Sequence, residues 1–114
     1  MGTRPETEAL LRDCLGDRIA TRPMFGEYAV YMGGKTVALL CDDTLFVRQL
    51  PEATRYLEDS GHAPVAGKPH PRAKDHWQID PDLWEDTEWL VGLLSVIEAA
   101  LPAPKPKRKP KPKA

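Results

Sequence analysis

The stretch Met24-Phe25-Gly26-Glu27-Tyr28-Ala29-Val30-Tyr31-Met32-Gly33-Gly34-Lys35-Thr36-Val37-Ala38-Leu39-Leu40-Cys41-Asp42-Asp43-Thr44-Leu45-Phe46-Val47 decides the fold. It is rich in aromatic and β-branched residues, which fit the pleated surface of a sheet. It is broken at Gly33-Gly34 and at Asp42-Asp43. Gly-Gly accepts positive φ at both central positions of a tight hairpin. The pattern predicts three strands over 24–32, 36–41 and 44–50, joined into an antiparallel meander. Alternation then assigns sides. Tyr28, Val30 and Met32 share one face, and Val37, Leu39, Cys41, Leu45 and Val47 are expected to continue it. Phe25, Ala29, Tyr31, Leu40 and Phe46 fall on the other face, which is unusually apolar for a surface in water. Such a face is expected to meet more of the same chain or a partner. Gly26 inside a strand pattern predicts a bulge or a close backbone approach.

Helical patterns flank this core. Upstream, Leu11, Leu15 and Ile19 recur every fourth residue beside Leu10 and Cys14, predicting a helix over 5–20. Thr3 is its expected cap, Pro5 suits its first turn, and Glu6 and Glu8 suit the positive end of its dipole. Downstream, Pro51 opens a second helix, with Gly61 after Ser60 as its C-terminal stop. Residues 62–74 read as loop, and His76 to Ile79 as a short strand. Leu83, Thr87, Leu90, Leu94, Ile97 and Leu101 recur at spacings of four and three, predicting a last helix that ends near Ala100, before Pro102. Its first turn is expected to carry Glu85, Asp86 and Glu88. Trp77, Trp84 and Trp89 nearby are expected to pack in the core. The order α-β-β-β-α-β(β)-α indicates an α+β fold of two layers, an antiparallel sheet with helices packed on it.

The chain has 114 residues and a formal net charge of −1, which conceals an asymmetry. Residues 102–114 form a Pro/Lys-rich tail holding Lys105, Lys107, Arg108, Lys109, Lys111 and Lys113 and no acid. The body, 1–101, then has 10 basic against 17 acidic residues, a balance of −7. Alternating Pro and Lys favours extended, unfolded chain, and six positive charges attract polyanions without sequence readout. Weak non-specific nucleic-acid contact through these six residues is therefore one expectation, and a merely solubilising tail is the other.

Catalytic and metal-binding chemistry finds no pattern here. His62, His70 and His76 lack the paired spacing usual at zinc sites. Cys14 and Cys41 lie in apolar segments, and Asp42-Asp43 beside Cys41 opposes a thiolate. There is no phosphate-binding glycine motif and no nucleophile elbow. The acid pairs Asp42-Asp43 and Glu85-Asp86 read as a turn and a helix start. No cofactor, metal or enzymatic activity is expected. Two thiols in apolar settings, a polar N-terminus and no long apolar run point to a cytoplasmic protein without a membrane span.

The blocks Met24 to Tyr31, Gly34 to Leu40 and Asp42 to Val47, with Glu88-Trp89-Leu90 and the ending Ala100-Leu101-Pro102-Ala103-Pro104-Lys105, resemble the N-terminal domain of the bacterial TfoX/Sxy family. The resemblance covers most of 5–108 and reads as a stand-alone member, with the cationic tail where regulators of the family have a second domain. It implies a two-layer α+β fold like that of secretion chaperones, and kinship with regulators of natural competence that work alongside a cyclic-AMP-responsive transcription factor. No catalytic residues come with it. The expectation is a non-enzymatic regulatory or adaptor domain with a protein partner or a second copy of itself. Phe25, Tyr31 and Phe46 are the candidate interface residues.

Overall fold

The computed structural model describes residues 3–24 and 26–102. Six strands form one antiparallel sheet in the order β1-β2-β3-β4-β6-β5. They are β1 (Ala20–Met24), β2 (Glu27–Met32), β3 (Lys35–Cys41), β4 (Thr44–Arg48), β5 (Ala66–Gly67) and β6 (His76–Ile79). Three helices, α1 (Pro5–Leu15), α2 (Pro51–Asp59) and α3 (Thr87–Ala100), cover one face. The predicted class and element order hold.

Strand β1 is an addition to the predicted meander. The segment 24–32, read as one strand, reverses direction so that β1 pairs with β2. Gly26 makes this reversal with φ +82°, a left-handed conformation that glycine adopts without steric cost. It is a turn residue and not a bulge; of the two expectations, the close backbone approach is the one met, by the Thr3 N–H, which donates to the Gly26 carbonyl at 3.0 Å. Pro23, which has no N–H, is tolerated because β1 is an edge strand.

The two predicted turns are both left-handed. Gly33 and Gly34 have φ +61° and +80°, and Asp42 and Asp43 have φ +52° and +60°. Positive φ at both central residues matches the right-handed twist of the flanking strands, and Asp is among the few side chains that tolerate it. A bulge changes the predicted sides of β3. Val30 pairs with Ala38 but Tyr31 pairs with Thr36, leaving Val37 as an extra residue. Ala38 and Leu40 therefore join Val37 in the helix-covered core, while Leu39 turns to the opposite face. Cys41 alternates with Leu39 and shares its side.

Leu11 and Leu15 of α1, Ala53 and Leu57 of α2, and Leu90, Leu93, Leu94 and Ile97 of α3 pack on Val30, Leu40, Leu45, Val47 and Ile79. Large apolar side chains buried this fully stabilise by about 1.5–3 kcal/mol each. Trp84 is fully buried, and its indole N–H donates to the Ile79 carbonyl at 3.3 Å. Trp77 and Trp89 pack at the margin of the same core.

Helix ends differ from expectation where distant residues intervene. Helix α1 stops at Leu15, because Gly16 takes φ +60° and a 3-10 turn follows over Gly16–Arg18. Thr3 does not cap it. The Thr3 hydroxyl instead donates to Glu27 at 2.8 Å and the Thr3 N–H to the Gly26 carbonyl at 3.0 Å. The cap comes from the β3–β4 turn: the Asp43 carboxylate accepts from the Arg4 N–H at 2.9 Å and the Thr7 hydroxyl at 2.8 Å. Helix α2 ends as predicted. Gly61, at φ +85°, donates to Glu58, and the next N–H, of His62, donates to Leu57. Helix α3 begins later than predicted. Leu83 lies in a separate 3-10 turn, Pro81–Leu83, and Asp86 is the cap, accepting from the Trp89 N–H at 3.3 Å. At the other end, the Lys35 ammonium donates to the Glu98 and Leu101 carbonyls at 2.8 and 3.0 Å, placing a cation at the negative end of the helix.

Candidate interaction groove on the open face of the sheet

With all three helices on one side, the opposite side of the sheet is left to solvent and loops. Cross-strand pairing runs Arg22–Ala29–Leu39–Phe46–Gln78 across this face, with Arg48 opposite His76 in the next row. Ala29 and Phe46 are only 4% and 6% exposed, so the floor is closed and apolar. Above it lies a groove of about 960 Å³. Thr36, Leu39 and Phe46 form its base, and Arg48, Lys68, Lys74 and His76 its sides.

The β5–β6 loop supplies one wall. Gly67 lets β5 lie close to β6, because a Cβ there would meet the Gln78 side chain, whose amide donates to the Ala66 carbonyl at 2.9 Å. At the loop's far end, the His76 imidazole N–H at Nδ1 donates to the Lys74 carbonyl at 2.9 Å. The loop is thus tied to the sheet at both ends, and Lys68 and Lys74 are carried beside Arg48.

Charge separates the two faces. Helices α1, α2 and α3 together hold eight acidic residues and two arginines. The groove holds Arg48, Lys68 and Lys74 against Asp75. In a body of 10 basic and 17 acidic residues this is a local reversal of sign. Among the described residues, no acidic side chain lies within ion-pair distance of Arg48, Lys68 or Lys74. Arg4, Arg12 and Lys35 are paired with Asp43, Glu8 and Glu98. Unpaired cations around an apolar floor attract a ligand carrying both carboxylates and apolar groups.

Phe46 lies in the groove floor. Tyr31 lies in a neighbouring depression of about 550 Å³ at the β1 end, with the Arg22 guanidinium 5.9 Å from its ring centre. Phe25 and the tail residues Lys105, Lys107, Arg108, Lys109, Lys111 and Lys113 lie outside the described residues. The three histidines are not brought together: His62 packs on Trp89 with 4.6 Å between ring centres, His70 is exposed, and His76 lines the groove.

Neither thiol is poised for chemistry. Burial pushes Cys41 up to about 11, assisted by the negative charges of Glu27 and Asp42. Burial also raises Cys14, with Asp13 and Glu85 adding to it. The reading of the residues alone did not find the cationic rim. Arg48 is far in the chain from the loop that carries Lys68 and Lys74, and only the β4–β6 register, which sets Arg48 opposite His76, joins them. The signal available was the run of basic residues in the loop, Lys68, Arg72 and Lys74.

Comparison with known proteins places this geometry in context. A sequence model described as the TfoX N-terminal domain matches residues 9–100. An uncharacterized 12.7 kDa protein in the trpE 5′ region of Spirochaeta aurantia is 40% identical over 107 residues, covering 92% of this chain and 89% of that protein.

Proposed function

Because the chain belongs to the TfoX N-terminal domain family, whose members are regulatory-type domains and in general not enzymes, we propose that it is a cytoplasmic adaptor acting through protein–protein contact in transcriptional or competence-related regulation. The observation that carries this reading is the open sheet face, where a closed apolar floor is bordered by unpaired cations. An apolar centre with a polar rim is the anatomy of a protein interface. No helix among the described residues is long and apolar enough to cross a membrane. The body, 1–101, is the interacting domain in this reading, with Phe46 and Tyr31 on its interacting face. A two-fold homodimer through this face would bring like charges together, so charge favours a different protein.

The second reading rests on the tail. Lys105, Lys107, Arg108, Lys109, Lys111 and Lys113 would hold nucleic acid weakly, with strong salt dependence. The two readings separate by chromosomal replacement. A strain carrying Arg48→Glu with Lys74→Glu is expected to reproduce the transcript changes of a deletion strain. A strain with the six tail cations changed to glutamine is expected to resemble wild type. The opposite pattern would assign the function to the tail.

A further inference from the structure

We infer that the groove binds an extended acidic segment of the partner protein, in which carboxylates alternate with apolar side chains. This rests on the adaptor reading above and names the chemistry of its partner. The floor presents the half-buried Leu39 beside the nearly covered Phe46 of the neighbouring strand, so that Leu39 offers most of the apolar contact, and the rim presents Arg48, Lys68 and Lys74 around them. A segment lying along the groove points alternate side chains down and up. Apolar groups then reach the floor, and carboxylates reach the rim.

Charge excludes the nearer candidates. The chain's own tail is cationic, with six basic residues, and is repelled by the rim. A second copy presenting the same face is repelled for the same reason. Single-stranded nucleic acid needs exposed aromatic faces on which bases stack, whereas Phe46 is only 6% exposed and sits as floor. An acidic peptide satisfies both the rim and the floor.

Fluorescence anisotropy on the full-length chain tests this. The probes are a labelled 12-residue peptide alternating Glu with Leu and Phe, its Gln-for-Glu and Lys-for-Glu counterparts, and an oligo-dT of the same length. Only the Glu peptide is expected to bind the groove. Arg48→Glu with Lys74→Glu should weaken it about tenfold or more, since exposed ion pairs contribute a few-fold each and reversal adds repulsion. Changing the six tail cations to glutamine should leave its affinity within about threefold, the change expected where only long-range attraction is lost. Arg48 and Lys74 are exposed, so unchanged thermal unfolding is expected for the double variant. Equal binding of the Gln peptide, displacement by oligo-dT, or loss of binding only in the tail variant would overturn the inference. So would concentration-dependent head-to-tail association of the chain that blocks the peptide. Failure of the Glu peptide alone, with the groove strain still behaving as a deletion, would remove this inference and leave the adaptor reading standing.

Discussion

Replacing Asp43 by glycine would keep the left-handed backbone of the β3–β4 turn, at φ +60°, and remove the carboxylate that holds Arg4 and Thr7. The expected loss is about 1 kcal/mol, as for other lost helix caps. That corresponds to a midpoint lower by roughly 4–8 °C in thermal unfolding of a chain this size. Asp42→Gly, at the adjacent left-handed position, is the control and should show no such loss. The same carboxylate gives a pH signature. The Arg4 N–H, the Thr7 hydroxyl and the Arg4 charge hold Asp43 below the ordinary aspartate value. Burial pushes Glu8 up, but hydrogen bonds from Arg12 and Thr21 and the Arg12 charge outweigh it and leave it lowered. A carboxylate lowered by folding stabilises above its unfolded value and loses that contribution as pH falls through its folded value. Stability is therefore expected to fall below about pH 4, less steeply in Asp43→Gly, as read by urea midpoints across pH. The sequence revealed Asp42-Asp43 as a turn, because its residue types fit one. It could not reveal the cap, because Arg4 and Asp43 meet only after the sheet and α1 have packed.

Between elements, α2 and α3 meet where Tyr56 crosses Gly92. The Tyr56 hydroxyl donates to the Trp89 carbonyl at 2.9 Å, and a Cβ at Gly92 would overlap that hydroxyl. Gly92→Ala is expected to cost about 1–3 kcal/mol despite alanine's better helix propensity. Tyr56→Phe removes the overlapping atom, so the double variant should lose less than the two single losses added. A double-mutant cycle in urea measures this. Element type was legible wherever periodicity and punctuation agreed. The Gly-Gly hairpin, the Gly61 helix stop and strand β6 were found from residue types alone. Two features were not. Phe25-Gly26 looked like strand interior, because its neighbours on both sides carry strand residues. The Val37 bulge shifted alternation by one place, and so exchanged the expected sides of Leu39 and Leu40. Bulges answer to pairing geometry, which one strand's composition does not contain.

Across the molecule, the proposed function rests on the division of charge between layers. The helices carry eight acidic residues against two arginines and bury their apolar sides in the core. The open sheet face carries a cationic groove over a closed apolar floor. The apolar second face was legible in the sequence, including Phe46 within it. Its cationic border was not, because it forms from β4, β6 and the β5–β6 loop only when they are side by side. The most direct measurement is site-specific photocrosslinking in living cells, with the reactive residue placed either at Thr36 in the groove or at Glu58 on the exposed side of α2. The expected result is a discrete, nuclease-resistant protein adduct from Thr36 that disappears in Arg48→Glu with Lys74→Glu, and none from Glu58. A protein adduct from Glu58 alone, or only nuclease-sensitive adducts from Thr36, would contradict the assignment of the open sheet face as the partner-binding surface.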